Sequence, residues 1–209
     1  MNQQAKLFEN KFLEALTKSH PLLIWGAYIP ILSFLLYRAS LLIELTNIIL
    51  LFFIAMLFWT IFEYVAHRFI FHWVSDNFKS KKFVYIIHGN HHEFPRDKSR
   101  LFMPLVPSLI LSSSIFGIQY VLLGKYAFAF FPGFMLGYLL YASMHYAIHA
   151  FEPPLKFLRP LWRNHLMHHY KDEHLGFGVS NSIWDKVFGT SFDLREHTED
   201  KEKEKSLKF

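Results

Sequence analysis

Four blocks of the chain are apolar over lengths that polar residues hardly interrupt. They run from Pro21 to Tyr37, from Leu41 to about Val65, from about Pro104 to Leu123, and from about Tyr126 to Ala147. A helix needs about 20 apolar residues to cross the hydrocarbon core of a bilayer, so each block predicts a membrane-spanning α-helix. Pro30 lies inside the first block and predicts a kink rather than an end, because neighbouring groups can satisfy the backbone that proline frees. Only three residues separate the first two blocks and two separate the last two. The pattern therefore predicts two helical hairpins.

Outside the blocks the pattern changes. Leu7, Phe8, Lys11, Phe12, Ala15 and Leu16 recur at helical spacing and give a mostly apolar face. That face either lies on the membrane surface or packs against the bundle. Residues 1–20 lack the long apolar run of a signal peptide. From Glu196 to Phe209 the chain reads "EHTEDKEKEKSLKF", a solvated tail by its charge density. The expected layout is an interfacial segment over 1–20, a membrane domain over 21–195 and a charged tail over 196–209.

Composition strengthens this picture. Hydrophobic residues make up 52% of the 209, with 24 Phe, and charged residues only 19%. A soluble helical protein with a greasy core would not need blocks this long. The net charge of +5 raises the possibility of nucleic acid, but the basic residues flank the apolar blocks rather than forming a stripe. Three Lys precede the first block, seven basic residues lie between Arg68 and Arg100, and ten follow from Lys156, whereas the short connections hold only Arg38 and Lys125. The positive-inside rule then places both termini and the central loop in the cytoplasm.

Candidate chemistry comes from histidine. The chain has no cysteine, so any metal must be held by His, Asp or Glu. Ten of its 13 histidines fall into a grammar: His67-x4-His72, His88-x2-His91-His92, His145-x3-His149 and His165-x2-His168-His169. All ten lie at the ends that the basic residues assign to the cytoplasm. Positions i, i+3 and i+4 share a helix face, so each triplet can aim several imidazoles at one point, as can His145 and His149. His67 and His72, five apart, cannot share a face on a straight helix. Either they serve different metals or the helix changes course between them. A single histidine on an apolar helix is more often a hydrogen-bonded core residue, but ten in four boxes are not. Ten nitrogens exceed the four of a closed zinc site and predict two ions, at about five ligands apiece or fewer with some of the histidines behind the ligands. Imidazole suits Zn, Fe, Cu and Ni alike.

Other residues stand near these boxes. Glu63, one turn before His67, either orients it, or serves as a cap or pairs with Arg68. Tyr141, one turn before His145, serves the metals or the membrane boundary. Asn181 and Asp185 either accept histidine N–H groups or form turns and caps. "EFPRD", residues 93–97, reads as a lid loop, and "GFGVSNSIWDKVFGT" as a wrap beneath the histidines.

In this order and spacing the boxes resemble the fatty acid hydroxylase / sterol desaturase superfamily, and more closely the fatty acid 2-hydroxylases. The resemblance runs through "LFENKFLEALT", "EYVAHRFIFH", "HGNHHEFPRD", "YASMHYAIH" and "HLMHHY" to "LGFGVSNSIWDKVFGT", residues 7–190. It implies an all-α membrane protein: four transmembrane helices in two hairpins, with a cytoplasmic helical cap carrying a dimetal site. It also implies O2 as co-substrate and hydroxylation at C2 of a long acyl chain. The metal ligands it implies are His67, His72, His88, His91, His92, His145, His149, His165, His168 and His169. Iron is the expected working metal, and zinc is able to replace it in a purified preparation. Many eukaryotic members carry a fused cytochrome-b-like domain, whereas about 20 residues precede the first block here. A separate electron donor is therefore expected, cytochrome-b-like or ferredoxin-type with a reductase, and a bacterial inner membrane rather than endoplasmic reticulum. Two other outcomes stay open: a sterol- or carotenoid-type desaturase or hydroxylase, and a non-catalytic zinc-binding membrane protein.

Overall fold

The computed structural model describes residues 5–74 and 76–193; the expected charged tail, 196–209, lies outside them. Among the described residues every regular element is helical. The apolar blocks become α2 (Pro21–Ser40), α3 (Leu45–Ala66), α6 (Leu105–Leu123) and α7 (Ala127–Ala150). Before them comes α1 (Lys11–Ala15), between α3 and α6 come α4 (Phe78–Val84) and α5 (Asn90–Glu93), and after them α8 (Arg159–Tyr170) and α9 (Ile183–Val187). Three stretches are long and apolar enough to cross a membrane by length and composition: Pro21–Ser40, Leu45–Phe71 and Lys98–Ala150. The third, 53 residues long, contains both α6 and α7. They part at Gly124, whose φ of 56° is a conformation glycine adopts without a Cβ penalty. Pro30 and Pro132 both lie inside unbroken helices.

Contacts divide the chain into two compact units. One comprises Lys6–Ile61 and Ser99–Ser143; the other comprises Met1–Ala5, Phe62–Lys98 and Met144–Phe209, as far as these are described.

The first unit is held by close approach and by buried hydroxyls. Between helices in lipid there is little hydrophobic driving force, so small residues and hydrogen bonds carry the association. Gly133 and Gly137 form a Gly-x3-Gly face on α7. A Cβ at Gly133 would stand 2.1 Å from Phe52 O of α3, and one at Gly137 would stand 2.6 Å from Trp59 Cβ. The Trp59 ring meets Phe134 edge-on with centroids 4.9 Å apart. Tyr28 of α2 hydrogen-bonds Ser108 and Ser112 of α6 at 2.8 and 2.9 Å, and Trp25 Nε1 donates to Ser143 Oγ at 3.0 Å. The outward side chains stay apolar: Leu57 is 69% exposed and Val121 83%. In water such surface would be unfavourable, whereas in hydrocarbon it is at home.

At the N-terminus the helical periodicity over Leu7–Leu16 produces a helix only at Lys11–Ala15. Glu14 is the reason. Its carboxylate accepts from the backbone N–H of Leu7 and of Phe8, both at 3.0 Å, which folds the preceding residues back instead of winding them. Arg100 binds the same carboxylate.

The second unit contains all ten boxed histidines. Two π-helical turns enter it, His67–Phe71 directly after α3 and Tyr85–Gly89 directly after α4. Asn77 caps α4, its side chain accepting from Lys79 N at 2.8 Å and so satisfying an otherwise orphaned donor. Trp162 of α8 is buried and donates its indole N–H to Phe151 O at 2.9 Å.

Candidate metal centre

The ten imidazoles converge in two groups. His67, His72, His88, His92 and His168 form one, and His91, His145, His149, His165 and His169 form the other. Within each group the ligand-capable nitrogens all lie within 4.8 Å of one another. Every one of the ten presents Nε2 inward, with neighbouring Nε2 atoms 2.8 to 3.1 Å apart.

The backbone explains this sorting. On an α-helix, residues five apart face different ways, because a turn takes 3.6 residues. Between His67 and His72 the chain instead makes a π-helical turn, with His72 N donating to His67 O at 3.3 Å. A hydrogen bond from i+5 to i returns residues five apart to one side, so both imidazoles enter the same group. His145 and His149 achieve the same on α7 with ordinary α-helical spacing. Each triplet divides. His88 and His92, four apart, enter the first group and send His91 to the second; His165 and His169, four apart, enter the second and send His168 to the first.

Burial and the neighbouring imidazoles push His72, His92 and His168 down to about 3. The same causes hold His88, His91, His165 and His169 well below the usual histidine range. These rings are therefore neutral at neutral pH, as a metal ligand must be. Neutral rings whose Nε2 atoms face one another can place at most one proton between each pair. A cation satisfies all of them together. With metal–nitrogen bonds of about 2.1 Å, ligands at right angles stand about 3 Å apart, which is the spacing found here. The donor set fits two metal ions.

The residues behind the first group come from one loop. His67 Nδ1 donates to Phe177 O at 2.5 Å and His168 Nδ1 to Leu175 O at 2.7 Å. A proton held at Nδ1 leaves Nε2 as a bare lone pair, which fixes the ligating tautomer. Two residues earlier, the Glu173 carboxylate lies 4.0 Å from His72 Nδ1 and 3.9 Å from His92 Nδ1. Residues 173, 175 and 177 thus all address the first group.

Glu63 and Asp185 hold that loop instead of contacting histidine. Glu63 Oε1 accepts from Val179 N and Ser180 N at 2.9 and 2.8 Å, and Oε2 accepts from Ser180 Oγ at 2.5 Å. Arg68 donates to Tyr64 OH at 2.9 Å rather than pairing with Glu63. Asp185 Oδ1 accepts from Phe177 N and Thr190 Oγ1, and Oδ2 accepts from Gly178 N and Asn164 Nδ2, at 2.8 to 3.2 Å. Gly176, at φ +72°, and Gly178 let the loop close this tightly; a Cβ on Gly178 would stand 2.0 Å from Asn181 O. Asn181 takes its turn-forming role, accepting from Ile183 N at 3.0 Å. Tyr141 packs against the Trp59 ring, centroids 5.8 Å apart. His20 caps α2 by accepting from Leu22 N at 3.2 Å.

The comparisons with known proteins agree with this geometry. The family model described as "Fatty acid hydroxylase" matches residues 52–190, more than half of the chain and every boxed histidine. The chain belongs to the fatty acid hydroxylase family. Among its relatives, the ceramide very long chain fatty acid hydroxylase SCS7 of Saccharomyces cerevisiae is 37% identical over 89% of the chain and 49% of its own length. The dihydroceramide fatty acyl 2-hydroxylase FAH1 of Arabidopsis thaliana is 35% identical over 88% of the chain and 79% of its own length. The fatty acid 2-hydroxylase of Mus musculus is 34% identical, over 88% and 56%. The chain thus spans about half the length of the yeast and mouse relatives. A solved structure titled "Full length scs7p (only hydroxylase domain visible)" superposes with a TM-score of 0.81 at 36% identity, over 89% of this chain and 71% of that one. These relatives are all eukaryotic and give no support to the expected bacterial inner membrane.

Sequence reasoning missed the parts of the candidate site that are backbone. The carbonyls of Leu175 and Phe177 carry no residue-type signal. Asn164, next to His165, and Glu173, four residues after His169, had a signal only in being polar close to that box, and they were passed over.

Proposed function

We propose that this hydroxylase is an integral membrane monooxygenase that hydroxylates C2 of a long-chain fatty acyl group. The observation that carries the reading is the pair of five-histidine groups, found in a chain whose relatives are named as 2-hydroxylases. The yeast and Arabidopsis names point to an acyl group carried on ceramide or dihydroceramide. The hydroxylase domain extends over residues 21–195 and crosses the membrane four times, with α6 and α7 as separate crossings. The distribution of Lys and Arg supports cytoplasmic termini and a cytoplasmic histidine cap.

The ten imidazoles are the metal ligands, five to each of two ions. Iron is the metal required for turnover; zinc occupies the same nitrogens without turning over. When bound, the ions supply O2 activation, which the C–H bond of an acyl chain requires and side chains alone do not provide. One oxygen atom enters the C–H bond and the other leaves as water, with two electrons and two protons taken up from a donor outside the site.

The chain's own residues prepare that site. The Phe177 and Leu175 carbonyls keep protons on the Nδ1 atoms of His67 and His168, so both Nε2 lone pairs face inward. Burial keeps the cap imidazoles unprotonated. Acidic side chains stay outside the two groups: Glu63 and Asp185 are occupied by the 177–180 backbone, Ser180, Thr190 and Asn164, and Glu173 stands behind two rings.

Expression with an electron-donor system, followed by lipid mass spectrometry, tests the reading. The expected product is an acyl chain with one added oxygen at C2, absent from a His88→Ala control. A product that has lost two hydrogens and gained no oxygen makes the protein a desaturase. No lipid product with tight zinc retention makes it a non-catalytic zinc protein.

A further inference from the structure

The two histidine groups are supported unequally. Behind the first group stands the loop 173–180, with two carbonyls at hydrogen-bond distance from Nδ1 atoms and the Glu173 carboxylate beside two more. In the second group the buried Nδ1 atoms of His91, His165 and His169 have no hydrogen-bond partner among the described residues. An imidazole whose outer N–H is held is oriented and more basic, and loss of such a partner typically costs 10- to 100-fold in metal affinity.

We infer that the first group is the tight site and the second the exchangeable one, and that Glu63 and Asp185 create the difference as positioning residues acting through the loop. The inference rests on the metal reading of the ten histidines. The loop cannot hold its carbonyls in place by itself, because residues 175–180 form no helix or strand. It is fixed from two sides. Glu63 binds the N–H groups of residues 179 and 180, and Asp185 those of residues 177 and 178. Four consecutive backbone donors are therefore anchored to two buried carboxylates. The Leu175 carbonyl just before them and the Phe177 carbonyl among them are set as a consequence.

The two anchors differ in what they tolerate. Both backbone donors at Glu63 meet the same oxygen, Oε1, while Oε2 faces a hydroxyl that can reverse its role. Glu63→Gln therefore keeps the anchor, and Glu63→Leu removes it. Asp185 meets two donors at each oxygen. In Asp185→Asn an amide NH2 must face donors on one side, so even this conservative change breaks the anchor.

The test is metal release from the full-length, metal-loaded protein into excess chelator, followed by elemental analysis, with helix content monitored by circular dichroism. Wild type is expected to hold two ions and to lose them in two phases. His169→Ala abolishes the fast phase, since its group supplies that phase. Asp185→Asn accelerates the slow phase about 10-fold or more with helix content retained, and Glu63→Leu does the same while Glu63→Gln stays within about 2-fold of wild type. If Asp185→Asn cannot be obtained folded, the Glu63 pair decides alone. Release of both ions in a single phase overturns the inference, as does a slow phase that neither Asp185→Asn nor Glu63→Leu changes. A wild-type protein that binds no metal overturns instead the metal reading beneath it.

Discussion

The two histidine groups have the same membership count and the same inward Nε2 atoms, but they are built by different means. The first takes a pair five apart on a π-helical turn, a pair four apart, and His168 from the distant triplet. The second takes two pairs four apart and His91 from the distant triplet. Each half of the chain thus fills four places in one group and lends a fifth to the other. Neither half can complete a group alone. The difference lies outside the rings, where one group rests on a clamped loop and the other leaves three Nδ1 atoms without partners among the described residues. Equal ligand sets therefore need not be equal sites: what stands behind the imidazoles decides how firmly they point.

The exchanged residues are where this comparison breaks most easily. On the proposed metal reading, His168→Ala removes a ligand from the first group although its helix neighbours serve the second. We expect loss of one ion by elemental analysis and a fall in 2-hydroxylated product of about 100-fold or more by mass spectrometry. His91→Ala should do the reverse, taking the ion of the second group. Loss of both ions in each variant would mean that the groups are not independent.

Spacing offers a second handle. Inserting one alanine between Ala147 and Ile148 gives the second group's pair the five-residue separation of the first. In a straight α-helix this turns His149 about 100° away, so the second ion should be lost unless a π-helical turn forms. Elemental analysis reads the outcome, and retention of both ions would show that the helix accommodates the insertion as it does at His67.

Smaller effects fall on the loop and on the helix contacts. Gly178→Ala drives a methyl group into Asn181 O, a backbone atom that cannot step aside. A loss of about 1–3 kcal/mol is expected in thermal unfolding, together with faster metal release from the first group. Gly133→Ala meets Phe52 O and should destabilise by a similar amount while leaving the ratio of the release phases unchanged. At the small end, Gly26→Ala has nothing within 4 Å of its new Cβ. It should stabilise by about 0.5–1 kcal/mol through helix propensity.

Much of the fold was legible because the bilayer imposes a length. Four apolar blocks became α2, α3, α6 and α7 with ends within a few residues, since uninterrupted apolar sequence has few alternatives to helix in hydrocarbon. Leu41–Glu44 was read as part of the second helix and is a turn. The N-terminal periodicity was misleading for a different reason. A helical face over Leu7–Leu16 competes with Glu14, whose carboxylate captures the Leu7 and Phe8 amides and keeps the helix from starting before Lys11. Among the polar residues near the boxes, Glu63 and Asp185 were found by position with alternative roles left open; both bind backbone amides of the 177–180 loop, and such bonds leave no trace in residue type.

By itself the sequence determined the chemistry available to this protein. A cysteine-free chain with ten histidines in four boxes, beside apolar blocks of spanning length, offers nitrogen ligands and little else. The division of those ligands was decided by tertiary structure. Whether His67 and His72 face together depends on one hydrogen bond shifting from i+4 to i+5, and spacing could only state that choice. Which triplet member crosses to the other group depends on where two short helices dock. Backbone carbonyls that every residue possesses become outer partners of His67 and His168 only when two distant carboxylates hold them there.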